Sequence, residues 1–128
     1  MGIWTSNPSS MFRFNGMSQL AKAGRLIFIS GQVAVDERGV LVGGQDVEGQ
    51  LHKIWANLGI ACKEAGCDLV NLVKTTTFIT KPESFAAVSA IRAELFGSGG
   101  PANTTIIVAA LAKQEWLAEI EGVAYIDA

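Results

Sequence analysis

Two carboxylates bracket an isoleucine near the end of the chain, Glu119-Ile120-Glu121, inside the run Gly97 to Tyr125 (GSGGPANTTIIVAALAKQEWLAEIEGVAY). In an extended strand both acids project to one face. Held that close they repel when ionised, so one of them keeps its proton more tightly. A carboxyl tuned in this way can shuttle protons as a general acid or base. The same alternation also suits a solvated, edge-protecting face. A second chemically suggestive place is Ser30-Gly31, which interrupts the apolar stretch Arg25 to Val35 (RLIFISGQVAV). Glycine inside a strand marks a bulge or a close backbone approach to a ligand. The glycines of 97–100 lack the Lys-Ser/Thr ending of a phosphate loop, which argues against nucleotide binding there. His52, Cys62 and Cys67 are too few for a zinc site or a disulfide framework, and no metal or organic cofactor is expected.

These residues need elements to hold them. Residues 1–10 read as a loose start and Met11–Phe14 as a short strand. Arg25–Val35 gives the strongest strand signal, followed by a hairpin turn at Asp36-Glu37-Arg38-Gly39 and a return strand ending at Gly43-Gly44. Asp46 caps a helix running to about Ala65, with Gly66 as its stop. Along it Val47, Leu51, Ile54, Trp55, Leu58, Ala61, Cys62 and Ala65 form one apolar stripe, while His52 falls with Glu48, Lys53 and Asn57 on a solvated side. Leu69–Ile79 is a β-branched strand. Thr80-Lys81-Pro82-Glu83 resembles a capping box opening a second helix to Phe96, with Phe85, Val88, Ile91 and Leu95 facing inward. Strands Thr104–Val108 and Ala118–Ile126 close the unit. Strands, helix, strand, helix and two strands imply an α+β sandwich with both helices on one face of a mixed sheet.

At 128 residues the chain is one domain. Its hydrophobic content is 49% against 17% charged residues, with a mean hydropathy of +0.31. A domain this size hides only about two-thirds of its unfolded surface, so the surplus apolar area points to burial between copies. No apolar run has membrane-spanning length. The net charge of −2 and the lack of a Lys/Arg cluster exclude a nucleic-acid footprint. The start lacks the charged region and apolar core of a signal peptide, and a cytoplasmic protein with reduced thiols is expected.

Several phrases together resemble the Rid family (reactive intermediate deaminases, RidA/YjgF type). They are Met17-Ser18-Gln19 with Gly24, Ser30-Gly31-Gln32, Gly43-Gly44-x-Asp46, Val73-Lys74-Thr75-Thr76, and Pro101-Ala102 followed by a strand, Leu111 and Glu119-Ile120. The resemblance runs from about Ser18 to Ala124. It implies a chorismate-mutase-like fold assembled as a homotrimer, with small-molecule clefts between neighbouring subunits. It further implies hydrolysis of an enamine or imine to a carbonyl product and ammonia, without a cofactor. Glu119 would orient the water and move its proton. The backbone at Gly31 and Thr105 would hold the ligand, and Ser30 and Met17 would shape the cavity, with Asn103 and Thr104 beside them. Two letters depart from the family's wording. Met17 stands where a tyrosine often closes over the ligand, and Asn103 where the family's deaminases carry a carboxylate-binding arginine. Arginine offers a charged bidentate fork and asparagine a neutral amide. Substrate anchoring is therefore expected to differ: the imine or enamine is uncharged or differently held, and Arg13, Arg25, Arg38 and Arg92 are the arginines from which another anchor could come. The alternatives are a non-catalytic metabolite-binding member and a ribonuclease, the latter disfavoured by the acidic charge.

Overall fold

The computed structural model describes residues 2–127. Its centre is a six-stranded mixed sheet, spatial order β1-β2-β3-β6-β4-β5. The strands are β1 (Trp4–Ser6), β2 (Leu20–Ala23), β3 (Leu26–Gln32), β4 (Leu72–Ile79), β5 (Ala102–Ile107) and β6 (Ala118–Tyr125). Only β4 and β5 pair in parallel; the other pairings are antiparallel. That one parallel pair is joined by a helical crossover, as parallel neighbours require. Both helices, α1 (Val47–Glu64) and α2 (Phe85–Phe96), cover one face, giving the expected α+β sandwich.

The stripe read along α1 is the heart of the core. Leu51, Ile54, Leu58, Ala61 and Cys62 are fully buried, against Ile27, Ile29, Ile79, Ile120 and Ala124 of the sheet. Each large aliphatic side chain buried here contributes about 1.5–3 kcal/mol relative to exposure. Asp46 caps α1 through its carboxylate, which accepts from the Gly49 N–H at 3.2 Å. Burial, with the neighbouring Cys67 thiol, pushes the Cys62 thiol up to about 12, so it packs as an unreactive apolar group.

Several expectations give way. Met11–Phe14 is not a strand: Met11 turns into the main core, and Phe12 and Phe14 meet edge-to-face at 4.8 Å beside a smaller cluster of Val33, Val35 and Trp116. The supposedly loose start instead supplies β1, paired with β2, a strand the alternation of Leu20-Ala21-Lys22-Ala23 signals too weakly. The return strand after the hairpin shrinks to one bridge, Val35 with Leu41. Leu69–Asn71 is a 3-10 turn, capped by Asp68, before β4 begins. No capping box forms at Thr80–Glu83; a 3-10 turn over Pro82–Ser84 leads into α2 without a side-chain cap. On α2 only Val88 and Ile91 are buried, while Phe85 and Leu95 are 50% and 43% exposed. Asn57 is buried rather than solvated, and its amide donates to the Val33 and Val35 carbonyls at 3.2 and 3.1 Å.

The face away from the helices is open. Leu26 and Phe28 alternate with buried Ile27 and Ile29 and are 40% and 46% exposed. Val73, Ile106 and Tyr125 are likewise exposed.

Candidate active site

The acid pair lies as alternation requires. On β6 Ala118, Ile120, Gly122 and Ala124 point into the core, and Glu119 and Glu121 project from the open face. Their environments differ: Glu121 is exposed, and Glu119 is half-buried. Burial first, and the Glu121 charge second, hold the Glu119 carboxyl above the usual carboxylate range, with no cation or hydrogen-bond donor offsetting them.

What buries Glu119 is the irregularity in β3. The β3–β6 register slips between Ile29 and Gln32, so Ser30-Gly31 is a bulge. A Cβ built on Gly31 would stand 1.9 Å from Glu119 Oε2 and 2.8 Å from its Cδ. Real Cβ atoms do not come so near, so a larger residue here would push the Glu119 carboxyl aside; the glycine lets the carboxylate lie against the bulge, and its backbone angles do not demand it.

A chain of buried amides holds the bulge. Gln32 Nε2 donates to the Ser30 carbonyl at 2.9 Å and to Gln19 Oε1 at 2.7 Å. Gln19 Nε2 donates to the Phe12 carbonyl at 2.7 Å. Ser30 Oγ donates to the Ser18 carbonyl at 2.7 Å, and the Ser30 N–H to the Gln19 carbonyl at 2.9 Å. Both glutamines are 3% exposed. Ser30 thus spends its hydroxyl proton on structure and leaves its oxygen lone pairs available. Met17 precedes the Ser18 anchor, with its side chain 40% exposed. The family resemblance included Gln19 and Gln32 in its wording, but their role as the amide chain that holds the bulge was not read from the sequence. Their polar character inside apolar surroundings was the available signal, since a buried amide must find partners.

An open-face cavity of about 270 Å³ is lined by Ser18, Phe28, Ser30, Lys74, Thr76 and Glu121 among others. Glu119 is not one of its walls; it lies one side-chain step nearer the start of β6, beside Gly31.

Asn103 and Thr105 lie elsewhere. They pair in register with Thr75 and Thr77, whose side chains are fully buried on the helix-covered face. The partners around the Asn103 amide assign its orientation. With nitrogen toward the sheet, it donates to the Thr75 and Thr77 hydroxyls at 2.9 and 3.0 Å. Its oxygen then accepts from the Thr104 N–H at 3.2 Å, the Thr105 hydroxyl at 2.9 Å and Arg92 Nη1 at 2.6 Å. The opposite orientation would press two donors together at Arg92. Thr104 points the other way, and its hydroxyl accepts from Lys74 Nζ at 3.0 Å. Within one chain, then, the structure brings Ser30, Gly31 and Glu119 together and keeps Asn103 and Thr105 on the other side of the sheet. Among the candidate anchors Arg92 alone reaches Asn103; Arg25 instead donates to the Tyr125 hydroxyl at 3.2 Å.

A small α+β domain with a bulged strand against a half-buried acid defines a class, and comparison supplies it. The family model described as Endoribonuclease L-PSP matches residues 8–126. The chain belongs to this family, the Rid (YjgF/RidA) proteins. It is 40% identical over 108 residues to a human 2-iminobutanoate/2-iminopropanoate deaminase, covering 84% of this chain and 77% of that protein. It is 35% identical over 109 residues to a RutC family protein of Pyrococcus horikoshii, covering 84% and 85% of the two chains. The crystal structure of the conserved Rid protein YyfA from Yersinia pestis superposes with a TM-score of 0.91 at 30% identity, over 98% of this chain and all of that one. No helix among the described residues is long and apolar enough to cross a membrane.

Proposed function

We propose that the protein is a hydrolytic deaminase of small imines or enamines, working in a cleft between subunits of a homotrimer. The observation that carries this reading is the Glu119 carboxylate, half-buried against the Gly31 bulge with its proton affinity raised. An imine carbon is already electrophilic, so the reaction needs an oriented water and a proton carrier. Water would add to that carbon while Glu119 takes its proton. Glu119 would pass that proton to the imine nitrogen to give the carbinolamine, then take the carbinolamine's hydroxyl proton and deliver it to the departing nitrogen as the C–N bond breaks; the products are a carbonyl compound and ammonia. A carboxylate whose pKa lies nearer the working pH is the better proton acceptor. The kinship with named imine deaminases supports the same reaction class. The exposed Leu26, Phe28, Val73 and Ile106 on the open sheet face supply the apolar surface that association would cover.

The test is an imine-hydrolysis panel, acidic and neutral, on wild type and Glu119→Gln. Turnover is expected to fall about a hundredfold or more. Wild-type rates in the variant would remove Glu119 from the mechanism. Ligand-induced thermal stabilisation with no imine consumed would favour the alternative, a metabolite-binding member.

A further inference from the structure

We propose that Arg92, on α2, is the anchor for the carboxylate of an amino-acid-derived imine, and that Asn103 positions it. This rests on the deaminase reading and adds to it the residue that holds the substrate's carboxylate.

Arg92 is half-buried, and among the described residues no carboxylate lies within 4.0 Å of it. Among the described residues the one ion pair within 4.0 Å is Lys63 with Asp68. Its neighbours one helical turn away, Val88, Ser89, Leu95 and Phe96, are uncharged. A guanidinium that has lost part of its hydration without gaining a counter-charge favours an incoming anion.

The group is also oriented. Nη1 donates to Asn103 Oδ1 at 2.6 Å and lies 3.4 Å from Thr105 Oγ1. Asn103 is in turn tied to the Thr75 and Thr77 hydroxyls, which belong to the rigid parallel pair β4–β5. Of five guanidinium N–H donors these contacts occupy one or two, leaving a pair for the fork geometry a carboxylate matches. The space beside it is a cavity of about 290 Å³, lined by Ser89, Arg92, Phe96, Gly100, Pro101 and Asn103 among others. Its size suits a short-chain acid. Asparagine at 103 therefore does not leave the site without positive charge; it accepts a hydrogen bond from an arginine carried on the neighbouring helix.

The experiment measures binding of 2-oxobutanoate, the keto acid that hydrolysis of its imine yields, with methyl 2-oxobutanoate as the uncharged control. Wild type is expected to bind the acid and discriminate against the ester. Arg92→Gln should weaken acid binding about tenfold to a hundredfold and leave the ester unchanged, since charge-assisted pairs carry that order of affinity. Two variants separate positioning from structure. Asn103→Asp gives Arg92 an internal counter-ion and should abolish acid binding more completely than Asn103→Ala. The exchange Arg92→Gln with Asn103→Arg should restore it. Thermal unfolding of each variant shows whether the fold survives. Acid binding by folded Arg92→Gln at wild-type strength, or no preference for the acid in wild type, overturns the proposal. So does Asn103→Ala being more damaging than Asn103→Asp. The two readings fail separately. Imine hydrolysis that needs Glu119 but ignores Arg92 sinks the anchor alone. Keto-acid binding that needs Arg92, alongside imine turnover indifferent to Glu119, sinks the catalytic reading alone.

Discussion

The two polar regions of this molecule differ in electrostatic character. At the β3–β6 end a carboxylate is wedged beside a bulge, its charge opposed by burial and by a second acid. At the β5–α2 end a guanidinium is supported by an amide and three threonine hydroxyls, with spare donors and, among the described residues, no carboxylate within 4.0 Å. On the proposed reading the first accepts a proton and the second an anion. They lie on opposite faces of one sheet with β4 between their strands. A ligand touching both would have to lie between one copy's Glu119 and another's Arg92. The heterologous interfaces of a ring such as the proposed trimer would bring two different surfaces of neighbouring copies together in this way.

The largest effect expected from this contrast is complementation. Glu119→Gln and Arg92→Gln should each be nearly inactive alone toward an acidic imine. Unfolded together and refolded as a mixture, they should regain activity, because some clefts then pair an intact acid with an intact arginine. A mixture as inactive as its parents would place both groups in one subunit's site or remove one from catalysis. Next comes Gly31→Ala, which acts on the acid region only. The new methyl group must displace the Glu119 carboxyl, and a misplaced proton carrier costs about tenfold or more in kcat with little change in keto-acid affinity. Equal losses in kcat and affinity would show that the bulge serves both regions.

Gln32→Leu probes what supports the acid side. It strands the Gln19 amide oxygen and the Ser30 carbonyl in the interior, and unfolding free energy from urea titration should drop by about 1–3 kcal/mol. An unchanged midpoint would mean that the amide chain is dispensable. The smallest effect concerns pH. Because the folded-state pKa of Glu119 lies above its ordinary 4.5, the folded form binds its proton more tightly than the unfolded form. That group's contribution to stability is then most favourable at low pH and is lost as pH rises through the raised pKa. Glu119→Gln should therefore melt higher than wild type near neutrality, with the gap closing under acid conditions. A gap that widened toward low pH would contradict the direction of the shift.

How much of this was legible in the chain varies by element. The α1 stripe, its Asp46 cap and the acid alternation on β6 were readable because each is a local periodic pattern. The bulge at Ser30-Gly31 was readable because glycine and a small polar residue interrupt an apolar strand. Met11–Phe14 misled because aromatic residues suit a strand and an irregular loop packed on a side cluster equally well. The inward reading of Phe85 and Leu95 failed because α2 buries only a narrow strip, which two residues, Val88 and Ile91, suffice to fill.

Sequence alone therefore determined the fold class, the family wording and that the two carboxylates of β6 share one face, since all three follow from residue type and spacing along the chain. Only tertiary structure decided that Gly31 meets Glu119, that Gln19 and Gln32 hold the bulge, and that Arg92 rests on Asn103. Each of those pairs joins residues on different elements, brought together by sheet register and helix packing. Their distances are set by the whole core, and no spacing along the chain records them.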